Sequence, residues 1–238
     1  MKTLLMLLIP ISSVFSQNYK VEYENRSFLP EKYKKNLSEM IIEDYESPKL
    51  YDLFINTEDL CVYKQKENLR NSNVETIGNY IQNFVVTNPK EKTVYQDMNI
   101  ENRNYKVKSP LKLSERWVMH RETKMINGIE ATKATMETSK NNTEVWFAKS
   151  IKSKCGPSNF VGFPGLVLEI LIKPKDENEA TGIVRMKSIE TLKDDSIIKS
   201  YFNNISDKTI SRGQFDKIYE DYQKKVQEMY GGNGVDKD

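Results

Sequence analysis

Between Tyr19 and Leu192 apolar and polar residues alternate in short runs, the period expected of strands that bury one face. The pattern predicts strands at Tyr19–Glu24, Tyr51–Asn56, Leu60–Lys64, Thr93–Ile100, Asn104–Lys108, Trp117–Lys124, Glu130–Glu137, Glu144–Ser150, Leu166–Ile172 and Thr181–Leu192, with a further candidate at Asp195–Ser200. Polar or glycine-bearing links separate several of them, at Asn102-Arg103, at Asn127-Gly128 and over 139–143. Asn127-Gly128 is the clearest hairpin signal, because a type I′ turn needs two positive φ angles and this dipeptide tolerates them best. Strands that follow one another with few helical patterns between them predict an antiparallel sheet rather than an α/β fold with crossover helices.

The period changes near the C-terminus. Phe215, Ile218, Tyr219, Tyr222, Val226, Met229 and Tyr230 fall on one helical face, Ser211 and Gln214 form a capping box, and Gly231-Gly232 ends the run. Such a stripe predicts a helix packed on the sheet. A weaker helical pattern covers Leu29–Tyr45, and the polar stretches 64–73 and 233–238 are expected to be loop or disordered tail. The fold class is therefore mainly β (α+β): one domain over 17–232, built on a curved antiparallel sheet with a C-terminal helix.

The first residues, MKTLLMLLIPISSVFSQ, have the order of a secretory leader, with cleavage expected after Ser16 and export to the periplasm or outer envelope. The apolar stretch is far shorter than the roughly 20 residues of a membrane span, and no such segment follows it. Removing residues 1–16 leaves 238 − 16 = 222 residues and takes away one charge, Lys2, so the formal net charge falls from +2 to +1. A near-neutral chain with interleaved charges has no electrostatic footprint for nucleic acid. Cys61 and Cys155 are the only cysteines. In an oxidising compartment they either pair, closing a loop of about 95 residues, or stand as two buried thiols, and the sequence leaves both open.

Catalytic signatures are sparse. His120, the only histidine, lies within a strand pattern and away from any nucleophile motif, which favours a structural role. Neither cysteine has metal-ligand spacing, so no metal and no cofactor is expected. Glu122 and Glu169 are the carboxylates a hydrolase reading would use. Gly156-Pro157 and Gly162-Phe163-Pro164-Gly165 are glycine-rich, but the run after Gly165 is apolar and lacks the Lys-Ser/Thr of a phosphate loop. Their chemistry is conformational. Pro157 and Pro164 fix φ, while Gly156, Gly162 and Gly165 permit angles other residues resist, steering the chain into a buried strand.

Those turns belong to an ordered set of motifs. Leu53-Phe54-Ile55-Asn56, Trp117, Glu122 to Gly128, Lys133-Ala134, Val145-Trp146-Phe147-Ala148 and Phe160 to Leu168 together resemble the GLPGLI family of exported Bacteroidetes proteins, whose biochemical role is not established. Phe163 and Val167 depart from the naming motif, Ala131 replaces a common Cys, and Asn142-Thr143 replace a common Gly-Arg pair. The resemblance implies an exported antiparallel β protein, and by analogy an open half-barrel similar to periplasmic lipoprotein carriers. Export, a sheet rich in aromatics and the lack of a catalytic constellation lead to the expectation of a non-enzymatic envelope protein that binds an apolar or peptide ligand in a groove lined by Trp117, Trp146, Phe160 and Phe163, or docks on an outer-membrane protein. The alternative is a carboxylate-dependent hydrolase or peptide-processing enzyme. Sequons at Asn25, Asn36, Asn141 and Asn204 also admit a secreted eukaryotic protein.

Overall fold

A computed structural model describes residues 17–66, 84–100, 103–203, 205 and 209–231. The expected leader at 1–16, positions 67–73 of the loop expected over 64–73 and the tail at 233–238 lie outside the described residues. Lys64 and Gln65 of that expected loop belong to a strand instead. In chain order the elements are β1 (Asn18–Phe28), α1 (Glu31–Lys34), α2 (Glu39–Glu46), β2 (Lys49–Ile55), β3 (Cys61–Gln65), β4 (Phe84–Asn88), β5 (Thr93–Ile100) and β6 (Arg103–Pro110). They continue with β7 (Val118–Ile126), β8 (Ile129–Glu137), β9 (Asn141–Ala148), β10 (Leu166–Pro174), β11 (Thr181–Leu192), α3 (Ser196–Asn203), β12 (Thr209–Ser211) and α4 (Arg212–Gly231).

All twelve strands join one open sheet in the order β12-β6-β5-β4-β3-β2-β1-β11-β10-β9-β8-β7. Every pairing is antiparallel except β12 against β6. Connectivity forces the sheet to curve. β6 and β7 are ten strand spacings apart, about 48 Å in a flat sheet. They are nevertheless joined by residues 111–117, whose reach is at most about 28 Å. The inner face accordingly carries one continuous core, from Val94 and Val85 through Tyr63, Leu53, Val21, Val184, Ile170 and Val145 to Ala134.

Alternation explains which residues enter that core. Tyr19, Val21 and Tyr23 oppose Ile55, Leu53 and Tyr51 across β1 and β2 and share the inner face, while Lys20 and Glu22 point outward opposite Phe54 and Asp52. Phe54 breaks the polar-out rule because α3 covers it: Ile198 packs with Phe54, Val62 and Val86 on the outer face. The chain at Asp195–Ser200, expected as a strand, is therefore the start of α3, whose Ile198 and Tyr201 need helical spacing to meet that patch. The helical pattern at Leu29–Tyr45 resolves into two short helices, α1 and α2.

The hairpin and the C-terminal helix form as their sequences predict. Asn127 and Gly128 take φ of 49° and 79° between β7 and β8. At α4 the Ser211 amide donates to Gln214 Oε1 at 2.8 Å, and the Gln214 amide donates back to Ser211 Oγ at 3.2 Å. The first turns of α4 are anchored: Phe215, Ile218 and Tyr222 pack on Tyr105, Val107 and Ile210, whereas Met229 is exposed.

Candidate functional site

The glycine-rich segment shapes the inner face. Residues 149–165 leave β9, cross the inner face and return into β10, with Ile151, Cys155, Val161 and Phe163 packed in the core. Cys155 is disulfide-bonded to Cys61 of β3. Asp59, held at φ 62°, braces the same point. Its carboxylate accepts from Ser153 Oγ at 2.5 Å and from the Lys154 amide at 3.0 Å, and burial pushes its pKa up against those bonds. Asp59, Cys61 and Cys155 lie together, but joined sulfurs offer no thiolate to a metal.

Two glycines are required by close approach. A Cβ on Gly156 would sit 2.0 Å from the Phe160 carbonyl oxygen, and one on Gly165, at φ +155°, 2.2 Å from that of Ala148. Gly162, at φ +87°, packs over Leu113 with no clash, and its amide donates to the Lys154 carbonyl at 2.7 Å. The strap is thus a folded plug whose glycines act through backbone geometry.

The four aromatics expected to line one groove divide between the two faces. Trp117 meets Phe163 edge-on at 5.0 Å and Phe160 at 6.4 Å, and Phe147 lies 5.6 Å from Phe163, all on the inner side. Trp146 alternates to the outer side, because its neighbours Val145 and Phe147 point inward. There the β7–β8 hairpin folds across it: Lys124 reaches from β7 to Glu169 on β10 at 2.6 Å, and Asn127 Nδ2 donates to the Met186 and Lys187 carbonyls of β11 at 2.8 and 3.1 Å. Trp146 is 3 % exposed beneath Lys124, whose Nζ lies 4.2 Å from the ring centroid.

Around this indole runs a chain of alternating charge. Glu169, almost fully buried, accepts from Lys124 Nζ and from Arg185 Nε, each at 2.6 Å. Lys133 pairs with Glu122 at 3.1 Å and Glu144 at 3.2 Å, and both bonds raise its pKa. Burial alone would raise the Glu144 pKa, but the Trp146 indole N–H at 2.6 Å and Lys133 outweigh it and hold the carboxyl below the usual range. His120 Nε2 lies 2.7 Å from Thr135 Oγ1 on the adjacent strand. Glu122 and Glu169 thus share a face with His120, yet each carboxylate is held by cations.

A separate cleft of ≈ 380 Å³ opens where β5 begins and β6 and β12 end, lined by Lys92, Thr93, Lys108, Ser109, Pro110, Thr209, Ile210 and Ser211. Sequence reasoning missed it, and no local signal marks it. Its lining comes from three stretches, and only the parallel register Ile210↔Val107 and Ser211↔Lys108 brings the third to the other two.

The family model for the N-glycanase peptide, N-terminal domain, matches residues 32–209. The chain belongs to that family. Two structures of PNGF-II, in C2 and P21 space groups, superpose with TM-scores of 0.55 and 0.53 at 20 % and 21 % identity, covering 87 % and 84 % of this chain. It spans about a third of their length, 33 % and 32 %. At that identity the likeness shows the fold alone. A LolA superfamily protein from Nitrosomonas europaea reaches a TM-score of only 0.31 at 8 % identity over 75 % of this chain and 87 % of its own, too low to carry an argument. No curated protein matches.

These findings correct two expectations. The motifs that resemble the GLPGLI family sit inside a domain whose matching family is the N-glycanase one. Membership in that family also overturns the expectation of a carrier for an apolar or peptide ligand, or of a protein that docks on an outer-membrane partner. The physical reason is visible on the inner face, where Trp117, Phe160 and Phe163 pack on one another as part of the plug.

Proposed function

We propose that this chain engages N-glycans as a recognition domain of an N-glycanase-type protein, without carrying the hydrolytic centre itself. The observation that carries this is the match of the N-glycanase N-terminal domain family to residues 32–209. The state of the carboxylates favours recognition over hydrolysis. General acid–base work on a glycan linkage needs a carboxyl free to exchange a proton. Glu169 is instead clamped by Lys124 and Arg185, and Glu144 by Trp146 and Lys133.

Export forms part of the same proposal. The leader order at 1–16 supports it, and the Cys61–Cys155 disulfide suits an oxidising compartment. Among the described residues no helix is long and apolar enough to cross a membrane.

Calorimetric titration of the intact chain with an N-glycosylated peptide, and with the same peptide lacking its glycan, tests the reading. Saturable binding of the glycosylated form alone is expected, with the linkage left intact by mass spectrometry. Equal binding of the two peptides, or none, would overturn recognition. Release of the glycan would overturn the non-catalytic part.

A further inference from the structure

We propose that the cleft at the ends of β5, β6 and β12 is a binding site for an acidic monosaccharide unit, one that carries a carboxylate on a pyranose ring. The inference deepens the glycan-recognition reading and rests on it for the choice of sugar over other acids. The site itself rests on its own geometry.

Charge comes first. Lys92 and Lys108 both line the cleft, none of its lining residues is acidic, and neither lysine forms an ion pair among the described residues. Lys108 Nζ instead lies 5.5 Å from the centroid of the Tyr95 ring, a contact an anion can compete with. Elsewhere on the outer face Lys20, Lys66, Lys124, Lys133 and Lys187 have carboxylate partners, while Lys64 bonds the Tyr201 hydroxyl instead. Two cations that line one cleft without an ion-pair partner among the described residues attract an anion.

Hydrogen bonding points to a ligand as well. Thr93 Oγ1 and Ser109 Oγ, both on lining residues, are buried without a partner among the described residues. A buried hydroxyl left unbonded costs roughly 1–3 kcal/mol and is uncommon in native structures. A χ1 rotation turns a serine or threonine hydroxyl by a full staggered step, enough to redirect it toward a ligand. Thr209 adds a further hydroxyl at the rim.

Size and surface select a sugar over a bare inorganic anion. A cleft of ≈ 380 Å³ falls in the range of small-ligand sites and exceeds the needs of a sulfate or phosphate. Pro110 and Ile210 supply apolar surface for the C–H face of a pyranose, while the lysines take the carboxylate and the hydroxyls take the ring substituents.

The test is nuclear magnetic resonance titration of the intact chain with methyl β-D-glucuronide, methyl β-D-glucoside and sodium sulfate, added separately. Glucuronide should shift the amides of Thr93, Lys108, Ser109 and Ile210 and bind roughly tenfold or more tightly than the glucoside. Lys92→Gln with Lys108→Gln should weaken glucuronide by a similar factor at unchanged Tm, because both side chains are exposed. Ser109→Ala should weaken it without loss of Tm, since it removes an unbonded buried hydroxyl. Equal binding of glucoside and glucuronide, sulfate reproducing the glucuronide shifts and affinity, or indifference to the lysine pair would overturn the site. The two readings fail separately. Glycopeptide binding that survives the lysine variants sinks the cleft alone, whereas glucuronide binding without any glycopeptide binding sinks the recognition role alone.

Discussion

Cys155 lies 6.0 Å, Cα to Cα, from Cys61, a residue 94 positions earlier, and the disulfide between them fastens the strap 149–165 to β3 across the inner face of the sheet. The bond joins two parts of the core that no strand pairing connects. β3 pairs with β2 and β4, whereas the strap links β9 to β10 on the far side of β1 and β11. Closing so long a loop constrains the unfolded chain by up to about 4–5 kcal/mol in the loop-entropy treatment. Thermal melts with and without a phosphine reductant should therefore differ, the reduced protein melting lower. Coincident melts would mean that the strap is held by packing alone.

The glycines of the strap should respond unequally to a methyl group. Gly165→Ala places Cβ against the Ala148 carbonyl and strains φ, so a loss of about 2–4 kcal/mol is expected. Gly128→Ala, at φ +79° with nothing within 4 Å, should cost only the left-handed penalty of about 1 kcal/mol. Denaturant midpoints of the two variants give the comparison. An equal loss in both would show that the strap relaxes around the added atom.

Glu169 and its two cations should be asymmetric. Glu169→Gln leaves Lys124 and Arg185, 36 % and 57 % exposed, free to turn to water, at a cost of about 1–2 kcal/mol. Lys124→Met with Arg185→Met strands a carboxylate that is only 7 % exposed and should cost about 3–5 kcal/mol at neutral pH. Urea unfolding of both variants measures the difference, and the opposite order would mean that Glu169 reaches water more readily than its burial implies.

Glu144 sets a pH dependence whose sign follows from its depressed pKa. The folded state holds the charged carboxylate more tightly than the unfolded state does, so its contribution is present above the unfolded pKa, about 4.3, and is lost as pH falls through the lower folded value. With side chains about a third exposed or less, that contribution is under about 1 kcal/mol. Glu144→Gln should melt below wild type at pH 7, and the gap should close on acidification. A gap independent of pH would trace the loss to the Trp146 bond rather than to charge.

Much of the fold was legible along the chain because its causes are local. Period-2 alternation marks β1, β2, β5 and β7 to β11, Asn127-Gly128 dictates its turn through positive φ, and Ser211 with Gln214 caps α4 through bonds three residues apart. The sequence also marked the strap's glycines for positive φ, which Gly162 and Gly165 adopt, whereas Gly156 is needed for its close approach to the Phe160 carbonyl. The errors arise where distant residues decide. Asp195–Ser200 reads as a strand until Phe54, Val62 and Val86 offer a patch for a helix to cover. The short β4, Phe84–Asn88, gains its ladder only between β3 and β5.

The tertiary structure alone decided the sites, because sidedness and proximity are set by pairing. Trp146 and Trp117 are equally aromatic in the sequence, but one residue of alternation sends Trp146 outward under the folded hairpin while Trp117 joins the inner plug. Whether Cys61 met Cys155 depended on a strap crossing several strands. The cleft is the extreme case: Lys92, Lys108 and Ile210 carry no shared pattern, and they become neighbours only because β12 adds itself in parallel to the edge of β6.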